Sequence, residues 1–363
     1  MRPPSVSESM SDSDADADTG PDGGDTGDSP ADGIGDTRAD PLDIADPDAV
    51  SRAARTAIED CLAVGAGETC VVVTDDRREP IGEALYEAAL QATEDAAIVR
   101  YPPGPQHGAE PPEAVAAALR TAECFLAPTS KSITHTRARS VATEAGARGA
   151  TLPGITEAVF TVGLDADYAA IAEACESMLE AVSGADEIRV TSPQGTDITF
   201  ELGDRPWQED TGIVHDDGDF SNLPAGEVFV SPESADGTYV VDGTIRPHGR
   251  LDPGHTVTID VEGGQLTGIS DDALRSEVEA AAEEAGDAAY NLAELGIGTN
   301  LGVTDLAGSV LLDEKAAGTV HIAFGDDAGI GGDTEAPIHM DGILTEPTVY
   351  VDGEEVELPT PGA

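Results

Sequence analysis

The chain has 363 residues, 72 of them acidic against 18 basic, for a formal net charge of -54. Charges at that density repel one another in dilute solution, so compact folding needs counterions; at about 1 M salt the screening length falls to roughly 3 Å. The composition excludes a basic surface for nucleic acid and fits the cytoplasm of a halophile that accumulates salt.

Membrane and secretory roles are not expected either. No run reaches the ~20 apolar residues of a spanning helix, and no apolar leader opens the chain. A soluble cytoplasmic protein is expected. Its four cysteines, Cys61, Cys70, Cys124 and Cys175, form no C-x-x-C pair. They read as buried thiols in a reducing compartment rather than zinc ligands or disulfides.

In chain order, residues 1–46 are mostly Asp, Gly, Ser, Thr, Pro and Ala. Such a segment buries too little to offset its ordering entropy, so a disordered extension is expected, with Met10 an equally good start. Residues 47–185 alternate helix and strand. The pattern predicts helices over 49–62, 81–92, 113–121 and 136–146, strands over 69–74, 97–101, 124–127 and 150–152, and a closing helix over 165–183. That alternation implies an α/β domain with a parallel sheet. Residues 186–363 read as an α+β domain with a mostly antiparallel sheet. Its strands are expected over 187–192, 197–202, 227–230, 238–245, 256–261, 265–269, 319–324 and 348–351, with one long helix over 272–292.

The residues suited to chemistry lie mainly in this second half. His339 and Asp341 are two apart, and in an extended segment such positions face the same way. His321 sits in an apolar, β-rich run, Gly318 to Ala323, in a chain with only seven histidines. Two His and one carboxylate suit non-haem iron and form part of a zinc or cobalt site. Glu227 and Glu294 stand in apolar, glycine-rich surroundings, where a free carboxylate is costly unless paired or metal-bound. Glu294 is read at the point where the long helix breaks into a glycine-rich loop. Five such ligands could hold two metal ions about 3.5–4 Å apart.

Only two lysines remain, Lys131 and Lys315; every other base is Arg. An ammonium and a guanidinium are not interchangeable in a tight site, so both lysines are candidates for substrate contact. His135, just before the helix expected at 136, has two readings. It belongs either to a capping motif or to a lobe that closes over the site and touches substrate.

The segments LPAGEVFVSP (223–232), AELGIGTN (293–300), DEKAAGTVHIAFG (313–325) and IHMD (338–341), in that order, resemble the metallo-aminopeptidases of the aminopeptidase T family. The resemblance covers most of residues 50–355 and is specific mainly after 220. It implies two divalent metals (Co, Zn or Mn) at Glu227, Glu294, His321, His339 and Asp341. It further implies Glu294 as general base or metal bridge, a peptide substrate cut at its N-terminal residue, and a homodimer. Peptidases of that family carry a Tyr between the two histidines, whereas residues 322–338 here contain none. The chain also resembles a related branch, the 2,5-dihydroxypyridine dioxygenases, in which two His and one Asp hold a single Fe(II). There Glu227 and Glu294 would stand behind the ligands or contact substrate.

Overall fold

A computed structural model describes residues 42–361. The expected acidic extension lies almost wholly outside the described residues. The first region is built on parallel strands Cys70–Asp75, Ala96–Tyr101, Cys124–Thr129 and Arg148–Pro153. The first and third are buried throughout, as a sheet covered by helices on both faces requires. Cys70 and Cys124 are cross-strand neighbours, and all four cysteines are buried and free.

One strand of this sheet comes from beyond residue 186. Phe220–Asn222 pairs in parallel with Arg148–Pro153 at the sheet edge. Three residues give no periodic signal, so the sequence pattern missed it. The expected closing helix is Tyr168–Val182, and a further helix, Glu157–Leu164, precedes it. Glu157–Leu164 starts at a Thr156 cap, and Tyr168–Val182 starts where Asp167 accepts from the Ala169 and Ala170 amides.

The second region holds two seven-stranded antiparallel sheets. One runs, in spatial order, through Gln265–Ile269, Val257–Glu262, Ser234–Val241, Asp197–Glu201, Glu187–Thr191, Thr348–Val351 and Glu354–Val356. The other runs through Gly249–Arg250, Thr244–Ile245, His339–Leu344, Val320–Gly325, Leu292–Gly298, Glu227–Val230 and Gln208–Asp210. Their apolar faces share one core, with Tyr239 and Val241 of the first sheet and Ile322 and Phe324 of the second in the same buried cluster. The fold is thus an α/β region followed by an α+β region, as the sequence pattern predicts.

The long helix expected over 272–292 is shorter. Asp272–Ala285 ends at Gly286, whose φ of 62° a side chain with a β-carbon disfavours. A 3-10 turn, Gly286–Tyr290, follows, and then the strand Leu292–Gly298. Glu294 therefore lies inside a fully buried strand, not at a helix end.

Candidate metal centre

Strand alternation and register put the candidate residues on one face of the second antiparallel sheet. Val320–Gly325 lies between Leu292–Gly298 and His339–Leu344. Ala323 is level with Glu294 on one side and Asp341 on the other; His321 is level with Gly296, and Gly298 with Glu227. Cross-strand partners share a face, as do residues two apart. Glu227, Glu294, His321, His339 and Asp341 therefore point one way. Val228, Val230, Leu295, Ile297, Ile322 and Phe324 point the other way, into the core.

Two glycines make room for this cluster. A β-carbon on Gly296 would stand 2.0 Å from His321 Nε2, and one on Gly298 would stand 2.2 Å from the Ala316 carbonyl. The imidazole thus lies over Gly296, and the turn carrying Lys315 lies against Gly298.

The side chains converge closely. Glu294 spans the two imidazoles, with Oε1 3.2 Å from His321 Nε2 and Oε2 3.2 Å from His339 Nε2. His339 Nε2 is 3.3 Å from Asp341 Oδ1, and His321 Nε2 is 3.5 Å from Glu227 Oε2. That Glu227 oxygen is buried with no hydrogen-bond partner. One ligand atom each from Glu294, His339 and Asp341 lies within 4.8 Å of the others.

The far nitrogen of each ring faces a backbone carbonyl. His321 Nδ1 is 3.1 Å from Glu314 O, and His339 Nδ1 is 2.7 Å from Asp326 O. Donation from Nδ1 fixes the ring and turns Nε2 toward the carboxylates, which is how metal-binding histidines are oriented.

The electrostatics point the same way. Burial alone would lower His321, but its hydrogen bond to Glu294 and the Glu227 charge lift it to about 9. His339 is likewise raised, with Asp341 and Glu294 overcoming burial. Burial would raise Glu294, yet the two imidazoles bring it down to about 2. Asp341 is lowered against burial, chiefly by the His339 charge. Protons on the imidazoles thus balance the carboxylates, and a divalent ion at the Nε2 atoms competes with those protons.

Lys315 is built into the same cluster. It is 3% exposed, with Nζ 3.0 Å from Glu227 Oε1 and 2.5 Å from Glu314 Oε1. Burial works against its charge, but Glu227 and Glu314 raise its pKa well above the ordinary value. Sequence reasoning passed over Glu314 and the half-buried Asp210, because a single Glu or Asp is unremarkable among 72 acids. Burial raises Glu314 to about 7 and Asp210 to about 6.

The other two candidates lie elsewhere, in the loop after the parallel strand Cys124–Thr129. Buried Asp75 accepts from the Ser130 amide and hydroxyl, and Thr129 Oγ1 donates to the Lys131 carbonyl. Thr134 hydrogen-bonds Thr151 and Asn222. The helix cap at Arg137–Glu144 is Thr136, while His135 is exposed. Among the described residues, no hydrogen bond or ion pair joins Lys131 or His135 to the cluster around His321.

Comparison with known proteins agrees with the architecture. Residues 50–358 match the family model described as NicX, 2,5-dihydroxypyridine 5,6-dioxygenase. The chain is 26% identical over 186 residues to the 2,5-dihydroxypyridine 5,6-dioxygenase of Pseudomonas putida strain KT2440, a match covering 48% of this chain and 53% of that protein. It thus spans about half the length of the curated relative it matches. The solved 2,5-dihydroxypyridine dioxygenase from Pseudomonas putida KT2440 superposes with a TM-score of 0.69 at 21% identity, over 86% of this chain and 96% of the other. AmpT from Thermus thermophilus superposes with a TM-score of 0.58 at 18% identity, over 85% and 99%. Both structural likenesses are likenesses of fold.

Proposed function

The chain belongs to the NicX family of 2,5-dihydroxypyridine 5,6-dioxygenases, and from that premise we propose that it is a mononuclear non-haem Fe(II) dioxygenase that opens a hydroxylated aromatic ring. His321, His339 and Asp341 are the proposed ligands, since two imidazoles and one carboxylate suit Fe(II) with positions left for other ligands. The donor set fits such an ion: two oriented Nε2 atoms and a lowered carboxylate. When bound, the ion would supply the redox chemistry with dioxygen.

Lys315 carries the choice of one metal over two. A second ion would have only Oε2 of Glu227 to use, because Oε1 holds the Lys315 ammonium at 3.0 Å. Glu227, Glu294, Glu314 and Asp341 present four carboxylates; Lys315 offsets one of them, and a single divalent ion offsets two more. In this reading Glu294 holds the two imidazoles in place.

The second reading is an aminopeptidase with two divalent ions (Co, Zn or Mn) and Glu294 as base or bridge. It has the convergence of all five predicted residues and the fold of AmpT in its favour. Oxygen consumption separates the two. Protein purified in molar KCl and loaded with Fe(II) is expected to take up oxygen with a dihydroxylated pyridine and to release nothing from an aminoacyl 4-nitroanilide. Release with Zn or Co, and no oxygen uptake with any ring, would overturn the proposal. In both readings the enzyme is a homodimer in which Lys131 and His135 contact substrate; light scattering in molar KCl tests the assembly.

A further inference from the structure

Arg246 follows the short strand Thr244–Ile245, which pairs with His339–Leu344 through Ile245 and Gly342. One residue past that pair, Arg246 comes level with Asp341. Its Nη2 donates to the His339 carbonyl at 2.5 Å, and its charge is felt by Asp341. Among the described residues this is its only hydrogen bond, and it has no ion pair. A guanidinium has five N–H donors, so most of this one's donors face no protein acceptor. Among the described residues, Arg52, Arg100, Arg120, Arg148, Arg189, Arg205 and Arg275 are paired with carboxylates. Arg139 is also half-buried without a carboxylate partner, but it bonds Thr134 and Thr143 and lies over the Phe220 ring, whereas the Arg246 charge is left beside the cluster.

Its place is the open side of the cluster. The His339 side chain is 33% exposed, against 1% for His321, 8% for Glu294 and 11% for Asp341. A ligand reaching the centre therefore passes His339, where Arg246 holds the backbone. On that side an anion would otherwise meet Asp341 and Glu294, which repel it. The guanidinium reverses the local sign, and its planar fork suits an oxyanion.

We propose that Arg246 is a specificity-determining residue that anchors an oxyanion of the substrate, a carboxylate or an ionised ring hydroxyl, at the open side of the metal centre. The inference rests on the dioxygenase reading only in taking the substrate to be a ring. Hydrogen bonds to charged groups are worth roughly one to two powers of ten in affinity, which sets the expected effect.

The test is anaerobic titration calorimetry of Fe(II)-loaded protein in molar KCl with three probes: 2,5-dihydroxybenzoate, 2,5-dihydroxypyridine and hydroquinone. The wild type is expected to bind 2,5-dihydroxybenzoate at least tenfold more tightly than hydroquinone. Arg246→Gln is expected to erase that advantage, leave hydroquinone unchanged and keep the same iron content. Arg246→Lys, which keeps the charge, should restore part of it. Loss confined to 2,5-dihydroxybenzoate identifies a carboxylate as the anchored group; a loss shared with 2,5-dihydroxypyridine identifies the ring oxyanion. An equal loss for hydroquinone, or no loss in an Arg246→Gln protein that holds its iron, would overturn the proposal. Charge discrimination that depends on Arg246 without oxygen uptake would sink the dioxygenase reading and leave the anchor standing.

Discussion

The two regions carry their candidate residues in opposite ways. In the parallel sheet the first and third strands are buried throughout, and Lys131 and His135 sit in a loop past a strand end. In the antiparallel sheet the candidates are part of the strands, alternating with core residues across four neighbours. A doubly covered sheet has no free face and displays function at its ends. A sheet with one face in the core can build a site on the other, at positions set by register. The first arrangement tolerates change in the loop; the second ties the site to the fold.

That contrast is broken or sharpened by substitution. Lys315→Met should have the largest effect, because it leaves Glu227 and Glu314 buried without their cation. Breaking a buried pair costs about 3–5 kcal/mol, read as a drop in denaturation midpoint at fixed salt. Added Zn or Mn should recover part of it by filling the emptied charge. Wild-type stability in that variant would mean the lysine is not what balances Glu227.

Gly296→Ala comes next. Its β-carbon would meet His321 Nε2 at 2.0 Å, so the ring must leave its orientation. Metal affinity is expected to fall on the order of 100-fold, the upper range for disturbed ligand support, as measured by competition with a chelating dye. Unchanged affinity would show that His321 is not a ligand.

The pH dependence is smaller and has a definite sign. His321 is raised from an ordinary 6.5 to about 9, so it stabilises the metal-free fold fully below pH 6.5 and loses that contribution as pH rises through about 9. Glu294, lowered to about 2, contributes above its ordinary 4.5 and loses it as pH falls through about 2. Metal-free protein should therefore melt several degrees lower at pH 9 than at pH 6.5, whereas metal-loaded protein, with no imidazole proton to lose, should not. Parallel melting curves for the two forms would contradict this.

His135→Ala should have the smallest effect on the centre: unchanged metal content and melting temperature, with any loss confined to turnover. Loss of metal in that variant would abolish the distinction between the two regions.

Much of this was legible in the sequence, and the omissions have physical causes. His339 and Asp341 could be paired because alternation in an extended segment depends on spacing alone. The run around His321 announced a buried strand by its apolar β-branched residues. Glu294 lies in the cluster but on a strand rather than at a helix end, because the sequence does not show that Gly286 ends the helix early. Arg246 and Glu314 could not be found, since their places depend on which strands pair and on a turn folding back over Gly298.

The central claim is one metal ion on this sheet face, with the Lys315 ammonium holding Glu227. Metal analysis of protein loaded in molar KCl, wild type beside His339→Ala, tests it most directly. One ion per chain in the wild type and none in the variant is the predicted result. Two tightly held ions in the wild type, or retention by the variant, would contradict it.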